Sequence, residues 1–148
     1  MMVKARVRTA GEKEKIVNKV VVRFADGRLI KGTTADFVPN KDLFHVKLTT
    51  DAAGAKPVEV HVKELKAVFF VRDFAGDSKH VHTNDFDPSA PPSGRKLRVE
   101  FKDGEILVGT TAGYQPGRPG FFLVPADQGS NSERCYIVTA ATKQVSFI

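Results

Sequence analysis

The sequence of 148 residues has a single cysteine, Cys135, and no tryptophan. One cysteine excludes an intrachain disulfide framework. No apolar run reaches the length of about 18 residues that a membrane-spanning helix needs, so we expect no membrane insertion. Residues 1–15 carry charges where a secretory signal peptide requires an apolar segment. These absences together predict a cytoplasmic protein.

Sequence motifs that carry catalysis are also missing. There is no Gly-rich segment ending in Gly-Lys-Ser/Thr to hold phosphates, no Gly-x-Gly-x-x-Gly before a helix and no Gly-x-Ser-x-Gly nucleophile turn. Cys135 falls on an inward-facing strand position, which is typical of a small core side chain rather than a reactive thiol. We therefore expect that the protein is not an enzyme and needs no cofactor.

The formal net charge of +6 is spread unevenly along the chain. Residues 1–19 carry six basic side chains against two acidic ones, whereas the rest of the sequence is nearly balanced. We interpret 1–19 as a basic N-terminal arm. Such an arm can approach phosphates or acidic proteins, and it can equally be a solvated leader.

An internal repeat organises the remainder of the sequence. VRFADG at 22–27 matches VEFKDG at 99–104, and GTTA at 32–35 recurs at 109–112. The offset between the two copies never changes, so that 20–71 overlays 97–148 without a gap. We therefore divide the chain into the arm 1–19, a first repeat 20–71, a linker 72–95 and a second repeat 96–148.

Each repeat shows the alternation of apolar and polar residues that is typical of short half-buried strands. The Asp-Gly pairs at 26–27 and 103–104 predict hairpins with type I′ turns. Gly32 and Gly109, inside the next strand, predict a bulge, a sharp bend or a close approach of another backbone. Five short strands in each repeat favour a small closed barrel. Before the first repeat, 3–7 reads as an added edge strand, and 12–19 has room for one or two helical turns.

The linker contains the best metal-binding candidates in the sequence. His80 and His82 alternate on an extended segment, which places both imidazoles on one side, and neutral imidazole suits zinc or nickel. No fourth strong ligand follows from the spacing. A polar linker among prolines and small residues is the other interpretation of this segment.

Two phenylalanines, Phe69 and Phe122, stand at strand positions of outward parity between apolar neighbours. Three explanations remain open for them. They can pack between the two repeats, contact a partner protein or stack on the bases of a nucleic acid.

The order of these features resembles the Sm-like small barrel, whose hairpin pattern SH3-like barrels share. The resemblance rests on VVVRFADGRLIKGTTADFVPNKDLFHVKL and VEVHVKELKAVFFV in the first repeat, and on LRVEFKDGEILVGTTAGYQPGRPGFFLV and RCYIVTAATKQVSFI in the second. The chain also resembles an uncharacterised group of bacterial proteins. The resemblance implies an all-β protein with two tandem five-stranded Sm-like or SH3-like barrels related by internal duplication.

Sm-like proteins bind RNA through an Asp and an Asn after the second strand and through an Arg-Gly pair before the fifth. Asp36 and Asn40 match the first pair in the first repeat, whereas the Arg-Gly position reads KELK at 63–66. The second repeat matches neither pair, so the resemblance transfers half of one RNA motif. The nucleic-acid candidates are accordingly Lys4, Arg6, Arg8, Asp36 and Asn40.

Two functions follow from the sequence. The first is a non-catalytic binding or adaptor module of a bacterial regulatory or signalling system, which acts through contacts with another protein at Phe69 and Phe122. The alternative is an Sm-like protein that binds RNA or another nucleic acid.

Overall fold

The computed structural model describes residues 5–7, 15–39, 41–49, 56–74, 86, 94–127 and 130–148. The prediction of an all-β protein is confirmed, because these residues form eleven strands with only two short 3₁₀ turns, Val62–Glu64 and Thr139–Ala141. Within the same residues, no helix is long and apolar enough to cross a membrane. The strands are β1 (Ala5–Val7), β2 (Lys15–Phe24), β3 (Leu29–Thr34), β4 (Leu43–Leu48), β5 (Val58–His61), β6 (Leu65–Val71), β7 (Arg95–Phe101), β8 (Ile106–Thr111), β9 (Gly120–Pro125), β10 (Ser132–Val138) and β11 (Thr142–Phe147).

Strands β2 to β6 form a first unit and β7 to β11 a second, with the same strand order in each. That order is β5-β4-β3-β2-β6 in the first unit and β10-β9-β8-β7-β11 in the second. The constant offset of the sequence repeat extends to the strand register, since Val22 pairs with Ile30 in one unit and Val99 with Leu107 in the other. The repeat in the sequence is therefore a repeat in hydrogen bonding.

The two units join where β6 pairs antiparallel with β10, a junction that we call the seam. Through the seam the strands form one open sheet, in which β1 is added beside β2. Within the described residues, β5 does not pair with β6, nor β10 with β11. The fifth strand of the first unit thus takes a partner from the second unit.

The two Asp-Gly hairpins are equivalent, but their predicted turn type is wrong. Positive φ occurs at Gly27 (98°) and Gly104 (94°) and not at the aspartates before them. In the first hairpin, the Gly27 N–H donates to Phe24 O at 3.1 Å and the Phe24 N–H donates to Arg28 O at 2.9 Å. This is a type I turn closed by a left-handed glycine, the bulged three-residue hairpin. One left-handed residue suffices there, whereas type I′ needs two.

The prediction of a close backbone approach at the strand glycines is confirmed. A Cβ on Gly32 would lie 2.2 Å from the carbonyl oxygen of Lys47, and one on Gly109 would lie 2.1 Å from that of Val124. No side chain fits at such distances, so glycine is required at both positions.

The segment that enters the first unit is a strand where we expected helical turns. Of residues 12–19 the structure describes 15–19, which belong to β2. Lys15–Val17 pair with Ala5–Val7 of β1, so the predicted edge strand is confirmed for 5–7. Cross-strand pairing of 15–17 with β1 and of 18–19 with β3 outweighs a helical propensity that so short a segment cannot support alone.

Candidate protein-binding edge

The seam directs alternate side chains of each strand into two different cores, as the period of two in a strand requires. In β10, Tyr136 belongs to the core of the first unit and Cys135 to that of the second. In β6, Phe70 belongs to the first core and Phe69 packs against the second. Each unit therefore completes the core of the other.

The two predicted contact residues, Phe69 and Phe122, both lie half-buried at this seam. Phe122 packs against the first core, and its ring centroid lies 5.2 Å from that of Tyr136 and 6.1 Å from that of Phe70. The guanidinium carbon of Arg134 lies 4.1 Å from the centre of the Phe122 ring. This placement corresponds to packing between the repeats, and partner binding through Phe69 or Phe122 stays a prediction.

A buried lysine makes the polar connection between the units. The Lys66 side chain is 5% exposed, and its ammonium donates to Asp103 Oδ2 at 2.7 Å and to Glu105 Oε1. Arg23 Nη1 donates to the same Glu105 oxygen at 3.1 Å. The Lys66 hydrogen bond, helped by the backbone N–H of Glu105, holds the pKa of Asp103 below its ordinary value of 3.8. Two basic side chains of the first unit thus hold one hairpin of the second.

At one end of the sheet, β11 pairs with β7 and with no other strand that the structure describes. Phe147 is 45% exposed there and Ile148 is 61% exposed. The guanidinium carbon of Arg95 lies 3.8 Å from the Phe147 ring centre, and the Tyr114 ring lies 6.1 Å from it. We call these four residues the β11 edge patch. Exposed apolar groups beside an unpaired strand are typical of a docking surface.

At the other end of the sheet, β5 pairs only with β4 among the described strands, and its Glu59 is exposed. His45 lies opposite Glu59 in the ladder, and its Nδ1 is 2.7 Å from Asp36 Oδ2. Burial alone raises the pKa of Asp36, but the backbone N–H and ring of His45 and the Thr34 hydroxyl together hold it below its ordinary value. This end therefore presents the exposed Glu59 carboxylate, whereas the β11 end presents an aromatic ring and the Arg95 guanidinium.

The model of a family of unknown function, DUF6982, matches residues 16–148, which is most of the chain. The chain belongs to the DUF6982 family. No curated protein and no solved structure shows a significant match. Membership in DUF6982 agrees with an all-strand fold over both units and assigns no activity.

In this DUF6982 protein, Asp36 of the half-motif for RNA is held by hydrogen bonds within the first unit. Asp36 accepts hydrogen bonds from the Thr34 hydroxyl and from the backbone N–H of His45, at 3.1 and 2.9 Å. Asn40 lies outside the described residues. A groove of about 390 Å³ runs between Pro39 and the second unit, where Arg118 contributes a guanidinium. Whether these groups bind RNA stays a prediction.

Several predicted residues of the DUF6982 chain fall outside the part that the structure describes. Lys4 and Arg8 do, as do both linker histidines, His80 and His82. The backbone of Arg6 lies in β1, opposite Ile16. Among the described residues, no three His, Cys, Asp or Glu side chains come together as a metal site.

The single thiol of the chain is a core side chain, as the sequence predicts. Cys135 is fully buried, and burial, together with the charge of Glu105, raises the pKa of its thiol to about 12. The nucleophilic thiolate is therefore scarce at neutral pH.

Neither the Lys66 network nor the β11 edge patch of this DUF6982 protein was expected from the sequence. A signal for the first was a lysine inside the apolar run LKAVFFV at 65–71. A signal for the second was the repeat itself, which places Phe147 at the position of the fully buried Phe70 but gives its strand the polar residues Gln144 and Ser146.

Proposed function

We propose that this DUF6982 chain is a non-catalytic adaptor of a bacterial regulatory or signalling system, which binds a partner protein through the β11 edge patch. One observation carries the proposal: Phe147 and Ile148 are exposed on a strand whose outer side has no partner among the described residues. The regulatory setting is supported by the resemblance to uncharacterised bacterial proteins alone.

The chemistry of the patch favours protein as the ligand. The outer side of a terminal strand offers backbone N–H and C=O groups to an incoming strand, and adjacent side chains supply specificity. Phe147 provides the apolar contact, and the Arg95 guanidinium over its ring attracts acidic groups. Aromatic and arginine side chains are the residue types that dominate binding energy at protein interfaces.

We further propose that each unit is a small Sm-like or SH3-like barrel. The shared order of five strands supports this proposal, because the fifth strand returns beside the first in both units. The strand glycines Gly32 and Gly109 support it too, since close backbone approach at a bend is how a small sheet curves.

The proposal is tested by affinity capture with two matched variants of the full chain. Phe147→Asp places a charge in the β11 edge patch, and Val124→Asp places one at a residue of similar exposure on β9. We expect Phe147→Asp to abolish capture of a protein that wild type and Val124→Asp both retain. Equal capture by all three chains would contradict the proposal, provided that thermal melts show both variants folded.

The alternative, nucleic-acid binding, is supported by the six basic side chains in residues 1–19 and by the groove that contains Arg118. Protein purified without nuclease decides between the two functions. Co-purified RNA, seen as raised absorbance at the nucleic-acid maximum, favours the alternative. Clean protein with a defined captured partner favours the adaptor.

A further inference from the structure

We infer that the occupant of the β11 edge patch is the β5 edge of a second copy of this chain, so that copies join head to tail by the pairing that the seam already forms within one chain. The inference rests on the proposed function that the β11 edge binds protein. It names the partner and the strand register.

The internal duplication supplies the register. At the constant offset that places Val22 on Val99, β11 is the counterpart of β6, and β5 is the counterpart of the last four residues of β10. The seam pairs Cys135 of β10 with Phe69 of β6. The corresponding pair between two chains is Val58 with Ser146. The two free ends of the sheet are thus complementary halves of an interface that this sequence already forms.

Side chains at the seam are much more buried than their counterparts at the two free edges of the sheet. Phe70 is 1% exposed and Cys135 0% exposed, because each is covered by the strand across the seam or the core beyond it. Their counterparts at the free ends, Phe147 and Val58, are 45% and 38% exposed. Pairing of β5 with β11 covers both apolar groups at once.

One pair of residues that differs between the seam and the free ends can form a polar contact between chains. In the seam, the ring of Tyr136 lies 5.2 Å from that of Phe37. The counterparts at the free ends are Glu59 on β5 and Tyr114 beside β11. In the inferred pairing, the Glu59 carboxylate of one chain lies near the Tyr114 hydroxyl of the next. The Arg95 guanidinium that lies over Phe147 is beside them. A charge-assisted polar contact replaces an aromatic one.

The contact between chains is weaker than the seam. Pro57, at the counterpart of Arg134, has no N–H to donate, so the ladder is short. Gln144 and Ser146 stand where the seam has Ala67 and Phe69, which reduces the apolar area. Association is therefore reversible and rises with concentration. Because the two surfaces differ, the contact repeats from chain to chain and gives a ring or a fibre.

Disulfide trapping tests the predicted register directly. Residues directly opposite in an antiparallel ladder have Cα atoms about 4.5 to 5.5 Å apart, within reach of a disulfide. Two full-length variants, Val58→Cys and Ser146→Cys, are mixed under mild oxidation and separated on a non-reducing gel. The buried Cys135, with its raised thiol pKa, stays out of the reaction. A third variant, Lys143→Cys, is the control for register because it lies three positions before Ser146 on the same strand.

We expect the mixture of Val58→Cys and Ser146→Cys to convert largely into a disulfide dimer, with little dimer from either variant alone or from Val58→Cys with Lys143→Cys. Dimer from Ser146→Cys alone, in the same yield as the mixture, would mean a symmetric contact and overturn the inference. No dimer in any sample would overturn it as well. If Phe147→Asp still abolishes capture of a different protein, the proposed function survives that failure.

Discussion

Lys66 and its carboxylate partners should contribute unequally to stability. Removing the carboxylates should destabilise the protein more than removing the buried lysine. Lys66 is 5% exposed, whereas its partners Asp103 and Glu105 are 53% and 37% exposed. Removing the lysine leaves two carboxylates that water already solvates. Removing the carboxylates leaves a buried cation without a counter-charge, which is the costly case.

The magnitudes follow from this asymmetry. We expect Asp103→Asn with Glu105→Gln to lower the free energy of unfolding by about 3 kcal/mol, the lower end of the range for an uncompensated buried charge. Asparagine keeps the side-chain oxygen that accepts from the backbone N–H of Glu105, so the turn itself is preserved. Lys66→Met, which keeps the aliphatic contacts, should cost about 1 kcal/mol or less, the value of an ordinary hydrogen bond.

Urea denaturation of four chains measures the effect: wild type, Lys66→Met, the carboxylate double variant and the triple variant. The triple variant should recover most of the stability that the double variant loses, because the buried charge is gone. Lys143→Met is the matched control, since Lys143 has the same place in the second unit and is 68% exposed. A Lys66→Met loss as large as that of the double variant, or no recovery in the triple variant, would refute the reasoning.

Three further predictions concern pH, packing and salt. Because the folded pKa of Asp103 is lowered, its contribution to stability is complete above the ordinary value of 3.8 and is lost as pH falls through the folded value, so acid titration of Asp103→Asn should be flatter. Gly32→Ala places a Cβ 2.2 Å from a carbonyl oxygen and should lower the unfolding free energy by about 1–3 kcal/mol. Gly113→Ala, with nothing within 4 Å of its Cβ, should change the unfolding free energy by about 0.5 kcal/mol or less in the same urea denaturation. If RNA is the ligand, alanine at Lys4, Arg6 and Arg8 should make the plot of log affinity against log salt shallower, by about 0.7 for each phosphate that the arm no longer neutralises.

Local features of this fold were predictable from the sequence because their causes are local. The Asp-Gly pairs at 26–27 and 103–104 mark hairpins wherever they separate two alternating runs. Gly32 and Gly109 mark close approach because only a missing side chain allows it. The turn type was not predictable to the same degree, since one left-handed residue or two satisfy the same dipeptide.

The seam was not predictable, because alternation tells which faces are buried but not which strand covers them. The sequence does distinguish β6 from β11 in hindsight. Residues 65–71 read LKAVFFV, largely apolar on both faces, as a strand whose two faces pack into two cores requires. Residues 142–148 read TKQVSFI, with Gln144 and Ser146 at the positions of Ala67 and Phe69, the second of which packs against the core of the other unit. Polar residues at those positions are typical of an edge.

The candidate site was predictable only in part, for a related reason. For Phe69 and Phe122, packing between the two repeats was one of three explanations that the sequence left open, but the sequence did not indicate which strands cover them. Lys66 and Glu105 are 39 residues apart, and nothing local joins them. Contacts of this kind depend on the arrangement of the two units and not on either segment.

The central claim is that the two ends of the sheet are complementary halves of one interface. Amide hydrogen exchange of the unmodified chain, followed by mass spectrometry at rising protein concentration, tests it most directly. The account predicts that peptides containing β5 and β11 become protected together, while exchange in the interior strand β8 stays unchanged. Exchange in β5 and β11 that does not depend on concentration would contradict it.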